Sequence, residues 1–283
     1  MGHAPHDHHD DPNLDRGLAF DLRTMQRRRA LQLFAGAGLL AVVGCGSQTA
    51  TTSSPSTTAG GSTATTAAGS SSGSTTSPGK IPQETAGPYP GDGSNGPNIL
   101  TQSGVVRRDI RSSIGSSSTV AEGVPLTVKL KLVNSSTSAV LAGAAVYLWH
   151  CDREGRYSMY SQGVTNENYL RGVQEADADG QLAFQTIFPA AYSGRWPHIH
   201  FEVYPSLAEA TTAGNPSATS QLALPAEVCN TVYATDGYSA SVRNMAQTSL
   251  ASDNVFSDGY ALELATVTGS VAGGYTALLT VAV

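Results

Sequence analysis

Residues 124–133 read V-P-L-T-V-K-L-K-L-V, and this run restricts the fold more than any other stretch of the chain. Leu126, Val128, Leu130 and Leu132 recur at every second position, so an extended strand projects all four from one face. Thr127, Lys129 and Lys131 project from the other. A strand of this kind has one wet face and one that needs a second layer packed against it. Further short segments follow the same logic. Residues 144–149 form a short apolar run, read as a buried strand, and residues 181–187 alternate after the turn signal Asp177-Ala178-Asp179-Gly180. Residues 198–204 give another strand, ending at Pro205, and strands are expected at 260–267 and 275–283, divided by Gly273-Gly274. A helix is expected at 225–234, with proline in its first turn. Short strands separated by Gly and Asp turns predict an all-β domain over 81–283. Its form is a β-sandwich of mostly antiparallel strands with long loops and one or two short helices.

The residues before that domain carry no such pattern. Arg27-Arg28-Arg29 precede an apolar run of fifteen residues, 30–44, whereas a bilayer-spanning helix needs about 20. That length suits the core of an export signal. The adjacent arginines resemble a twin-arginine motif, and Val42-Val43-Gly44-Cys45 resembles a lipobox, at which cysteine receives lipid. Residues 1–45 are therefore expected to be an export signal with Cys45 as the lipidation site. An ordinary cleavage site that happens to precede cysteine is the other reading. His3, His6, His8 and His9 lie ahead of the signal, in a tract read as a solvated extension rather than a metal site. Residues 46–80 are nearly all Ser, Thr, Ala and Gly; they cannot bury a core and are expected to act as a disordered tether. The expected location is the outer face of the cell membrane, reached only through the lipid, or else the medium.

Charge excludes one class of partner. Only 13% of residues are charged and the net charge is −6. Residues 1–44 hold five Arg and five Asp, which cancel, so the acidic excess belongs to the remainder. No basic patch is present and nucleic acid is not an expected partner. With Cys45 assigned to lipid, Cys151 and Cys229 remain. In an oxidising compartment these predict one disulfide, contributing about 4 kcal/mol by restricting the unfolded chain. A rival reading makes Cys151, beside His150, a metal ligand.

Chemistry-bearing residues concentrate in one window. His198 and His200 are two apart in Pro197-His198-Ile199-His200, so a strand presents both imidazoles on one face, half of a metal site suited to iron, copper or zinc. Tyr157 and Tyr192 lie upstream, Tyr192 six residues before His198. Phenol ionises near neutral pH only beside a strong cation, its free pKa being about 10. Ferric iron is such a cation.

The stretch 146–203 resembles the intradiol ring-cleavage dioxygenases, the family of catechol and protocatechuate 3,4-dioxygenases. The resemblance rests on Tyr147-Leu148-Trp149-His150, Gly155-Arg156-Tyr157, Leu170-Arg171-Gly172, Asp177-Ala178-Asp179-Gly180, Phe184-Gln185-Thr186-Ile187-Phe188-Pro189 and Arg195-Trp196-Pro197-His198-Ile199-His200. Gln83-Glu84-Thr85-Ala86-Gly87-Pro88-Tyr89 resembles the segment that opens the family's domain, so the likeness covers roughly 81–270. It implies Tyr157, Tyr192, His198 and His200 as ligands of a non-haem Fe(III). It further implies that Tyr192 and His200 are axial and that Tyr192 leaves when substrate chelates. Arg195 matches the family's active-site arginine, Gln221 resembles a glutamine behind the site, and Tyr89 is expected to line the substrate pocket. The implied substrates are a small aromatic diol and dioxygen, and the implied product is a muconate-type diacid.

Two departures stand out. The link Ser193-Gly194-Arg195-Trp196-Pro197 is shorter than in the well-known cytosolic enzymes, which implies a more open pocket. No helical dimer domain precedes the core, and oligomeric state is left open. Two rival classes are a surface-displayed binding module with no working iron, and a copper or zinc enzyme built on the histidine pair. The joint presence of two tyrosines, two histidines and Arg195 weighs against both.

Overall fold

In a computed structural model of the chain, the structure describes residues 79–212 and 214–283. The expected signal, Cys45 and all but the end of the expected tether lie outside the described residues. Among the described residues there are eight strands: β1 Pro125–Val133, β2 Ala145–Trp149, β3 Arg171–Glu175, β4 Gln181–Ile187, β5 His198–Tyr204, β6 Ala218–Ala223, β7 Thr266–Ser270 and β8 Gly274–Ala282. They form two four-stranded sheets, ordered β4-β1-β8-β7 and β3-β2-β5-β6. All pairings are antiparallel except β1 with β8. The β-sandwich expected from the alternation is therefore present.

Its core is where the β1 pattern requires. Leu126, Val128, Leu130 and Leu132 are all buried, together with Val146, Leu148, Ile199, Phe201 and Val203 from β2 and β5 of the other sheet. Each such side chain removed from water contributes about 1.5–3 kcal/mol. The turn before β4 depends on Gly180, which has φ +71°, and a Cβ there would lie 2.6 Å from the Leu132 carbonyl oxygen. Asp177 Oδ1 closes the same turn by accepting from the amides of Asp179 and Gln181.

The second sheet is buried on both faces. Tyr147, Trp149, Val173 and Tyr204 point away from the main core, into a smaller cluster with Ile99, Leu100, Val105 and Tyr157. Residues 84–112 supply that cover as a strap. It is hydrogen-bonded at Glu84 N to Thr219 O, Arg107 N to Val173 O, and Leu170 N to Ile110 O. Every residue of β5 is buried as a result, so its histidines sit in a dry place.

Several details differ from expectation. Residues 261–263 are turn, with the amides of Glu263 and Leu264 both donating to the Tyr260 carbonyl; Leu264 bridges to Ala223, and the strand begins only at Thr266. Alternating side chains alone did not distinguish that turn from a strand. Among the described residues there are three helices rather than one or two: α1 Leu207–Thr211, α2 Ala226–Tyr233 and α3 Ser239–Met245, with a 3-10 turn at Phe256–Asp258. β3 and β6 carry buried polar residues, Arg171 and Gln221 among them, which masked their strand character. The expected disulfide is not formed. Cys151 and Cys229 are free buried thiols. The Cys151 Sγ–H points to the Ala190 carbonyl at 3.7 Å, while Cys229 interacts with Tyr233 on its own helix. Burial pushes both thiols well above their ordinary pKa, so they behave as apolar core groups rather than thiolate ligands.

Candidate metal centre

β5 places His198 and His200 on the face away from the main core, where the strap closes over them. His200 lies in register with Trp149 on β2, which lies in register with Arg171 on β3, while on the other side His200 pairs with Gln221 on β6. One row thus crosses all four strands. The Trp149 ring stacks on His200, with centroids 4.9 Å apart and planes 6° from parallel, fixing the imidazole's orientation.

The two tyrosines arrive from loops. Tyr157 follows β2 on a turn held by its own amide donating to Ser161 Oγ. Tyr192 lies in the short link before β5, half-buried where the other three are buried. Their donor atoms converge: Tyr157 Oη is 3.5 Å from Tyr192 Oη, Tyr192 Oη is 3.1 Å from His198 Nε2, and His198 Nε2 is 3.1 Å from His200 Nε2. For metal bonds of about 2.0–2.1 Å, neighbouring ligand atoms stand about 2.9–3.4 Å apart, close to these separations.

Protonation agrees with a cation in that position. His198 Nδ1 lies 2.5 Å from the Trp196 carbonyl oxygen, an acceptor, so Nδ1 carries the hydrogen and Nε2 turns a lone pair to the cluster. His200 Nδ1 is buried without a hydrogen-bond partner. Burial, then the Arg195 charge, holds His198 well below the ordinary imidazole pKa; burial, then His198 and Arg195, does the same for His200. Both are neutral and available as ligands. Burial and the neighbouring Tyr192 hydroxyl push Tyr157 well above the usual phenol range, so it stays a phenol until a strong cation arrives. Two phenols and two neutral imidazoles in a dry site fit ferric iron. Among the described residues no group of three His, Cys, Asp or Glu side chains offers another metal site.

Arg195 and Gln221 meet beside this cluster. Arg195 Nη2 donates to Gln221 Oε1 at 2.6 Å, and Gln221 Nε2 donates to the Thr85 carbonyl at 2.9 Å. The Tyr89 ring packs against Tyr157 at a tilt of 36°, with centroids 5.1 Å apart. The structure therefore gathers Tyr89, Tyr157, Tyr192, Arg195, His198, His200 and Gln221 in one place. Asp253 was missed. Its carboxylate accepts from Arg195 Nε at 3.0 Å and from the amides of Trp196, Val255 and Phe256. A single aspartate in Ser252-Asp253-Asn254 has no spacing that ties it to an arginine 58 positions earlier.

The proteins to which this chain is similar are dioxygenases. A dioxygenase family model matches residues 96–199, which include Tyr157, Tyr192, Arg195 and His198. A chlorocatechol 1,2-dioxygenase of Pseudomonas sp. (strain P51) is 31% identical over 97 residues, 28% of this chain and 38% of the relative. Another, of Rhodococcus opacus, is 30% identical over 60 residues, 21% of this chain and 23% of the relative. The chain thus matches under two fifths of the length of these curated relatives. In fold, it is similar to an intradiol ring-cleavage dioxygenase of Tetranychus urticae, with a TM-score of 0.51 at 24% identity, covering 63% of this chain and 86% of that one. The chain is thus similar to dioxygenases over part of its length, and to intradiol ring-cleavage dioxygenases in fold.

Proposed function

We propose that this protein is a non-haem Fe(III) enzyme that cleaves a catechol-type ring with dioxygen between the two hydroxyl-bearing carbons, giving a muconate-type diacid. The observation that carries the proposal is the convergence of four donor atoms, Tyr157 Oη, Tyr192 Oη, His198 Nε2 and His200 Nε2, at separations of 3.1–3.5 Å. The chlorocatechol relatives support a catechol-type substrate. The signal read in residues 1–45 supports action outside the cytoplasmic membrane, with Cys45 as the point of lipid attachment.

Iron held by Tyr157, Tyr192, His198 and His200 would supply Lewis-acid activation of a bound diol toward dioxygen. The chain's own residues supply the rest. Tyr192, the most accessible of the four, gives way to the incoming diol, and its Oη takes up one of the diol protons. Tyr157 and His200 stay fixed, one by its turn and the other by the Trp149 stack. Arg195, held by Asp253 and Gln221, presents a positive charge to the electron-rich ring and its oxygens. Tyr89 provides an aromatic wall beside Tyr157.

The test is reconstitution of the folded protein with ferric iron. A reddish tyrosinate-to-iron absorption band should appear at one iron per chain, shift on anaerobic addition of catechol, and be followed by diacid formation when oxygen is admitted. Stoichiometric zinc with no ferric uptake, or iron uptake without the band, would overturn the reading.

A further inference from the structure

Arg171 is fully buried at the start of β3, and four of the five hydrogen bonds its guanidinium donates go to two segments of the site. Nη1 donates to the Pro90 carbonyl at 2.7 Å and Nη2 to the Tyr89 carbonyl at 2.9 Å, both on the strap. Nε donates to Ser158 Oγ at 3.1 Å and Nη2 to the Ser158 carbonyl at 3.0 Å, one residue past Tyr157. The fifth bond runs from Nη1 to the Tyr147 hydroxyl at 3.1 Å, which itself donates to the Pro90 carbonyl at 2.6 Å. Five bonds use the whole donor set of a guanidinium, and no acceptor is a carboxylate. A buried charge without a counter-charge is costly, so simple packing of the strap does not call for it.

The backbone is fitted to this fork. Gly91 adopts φ +68°, and a Cβ there would lie 2.8 Å from Arg171 Nη1 and 3.3 Å from Tyr147 Oη. Its amide donates to the Tyr160 hydroxyl at 2.9 Å, and the Tyr160 ring lies 5.4 Å from the guanidinium carbon. Tyr89, carried by the same strap, has its ring centroid 5.1 Å from those of both Tyr157 and Tyr160.

We propose that Arg171 is a positioning residue: it buckles the strap bearing Tyr89 to the turn bearing Tyr157, and so sets the aromatic wall against which the diol ring is held. The inference rests on the reading of the Tyr/His cluster as the reaction centre. Lysine keeps the charge but lacks the planar fork, so Arg171→Lys isolates the geometry. Gly91→Ala presses on the same buckle from the strap side.

Amide exchange, iron content and steady-state kinetics with catechol would be measured on both variants and on the wild type. In each variant the amides of Gly91 and Ile99 should exchange about tenfold faster or more, while those of β1 and β8 keep their protection. Iron content and the tyrosinate band should stay within about twofold of wild type, with KM for catechol raised roughly tenfold and kcat lowered less than about threefold. A merely structural role predicts instead a loss of stability with unchanged KM, and that result would overturn the proposal, as would strap amides that exchange at the wild-type rate. If Arg171→Lys does not fold, Gly91→Ala decides by the same criteria. A wild-type protein that takes up no iron sinks the catalytic reading by itself, and the exchange of the strap amides then decides the buckle alone.

Discussion

Arg195 and Asp253 form a buried ion pair, Nε to Oδ2 at 3.0 Å, with both side chains essentially inaccessible to solvent. The pair joins the short link between Tyr192 and β5 to the segment entering the 3-10 turn, because Asp253 also accepts from the amides of Trp196, Val255 and Phe256. The arginine's position beside the candidate metal donors therefore depends on a carboxylate that touches none of them.

Removing one partner of such a pair leaves the other charge buried and uncompensated, at a cost of about 3–5 kcal/mol. Asp253→Ala should lower unfolding stability by that order in urea titrations. Asp253→Asn keeps the shape and an acceptor and should cost less, while still reducing turnover. A near-wild-type denaturation midpoint for Asp253→Ala would contradict the pair's structural weight.

The two tyrosines should behave differently. Tyr157 is buried and tied to its turn, whereas Tyr192 is half-buried in the link. Tyr157→Phe should lower iron affinity by at least about tenfold, in line with loss of a metal ligand or its support, and bleach most of the visible band. Tyr192→Phe should retain more iron and lose mainly turnover. Titration of each apo variant with ferric citrate, followed by absorbance, separates the two.

Metal binding and folding should be linked. A ligand that binds only the native state at about one hundred times its Kd stabilises by about 2.7 kcal/mol. Thermal unfolding of the wild type should therefore move to higher temperature on addition of iron and return after chelation. His198→Ala removes one of the converging nitrogens, and its Tm should respond far less to iron.

Stability should also depend on pH through Glu263. Burial, reinforced by the nearby Glu84, pushes its carboxyl from 4.5 up to about 8, and its Oε2 has no hydrogen-bond partner. The folded chain holds this proton more tightly than the unfolded chain does. The group's contribution is complete below about pH 4.5 and is lost as pH rises through about 8, a change of a few kcal/mol. Glu202, raised by burial to about 7, adds in the same direction. Glu263→Gln should be closer to wild type in Tm at pH 5 and more stable than wild type at pH 8.5. Parallel Tm profiles for the two proteins across that range would rule the linkage out.

The sandwich was legible because alternation in β1 and β4 demands a second layer, whatever the partner. The candidate donor cluster was legible too, since His198 and His200 share a strand face and two upstream tyrosines supply phenols. What local sequence did not carry was polar burial. β3 and β6 looked unlike strands because Arg171 and Gln221 are buried through hydrogen bonds from segments far away in sequence. Residues 260–264 alternated but form a turn that meets β6 at a single bridge, Leu264 to Ala223, and the two cysteines found separate partners in the core.

The amino-acid sequence by itself determined the layered architecture and singled out the candidate donors, because periodicity and donor chemistry are properties of neighbouring residues. Only the tertiary structure decided which groups hold those donors in place: Asp253 behind Arg195, Trp149 against His200, and Arg171 between the Tyr89 strap and the Tyr157 turn. Hydrogen bonds and stacking act over a few ångströms, and the partners they join here are separated by 13 to 82 residues along the chain.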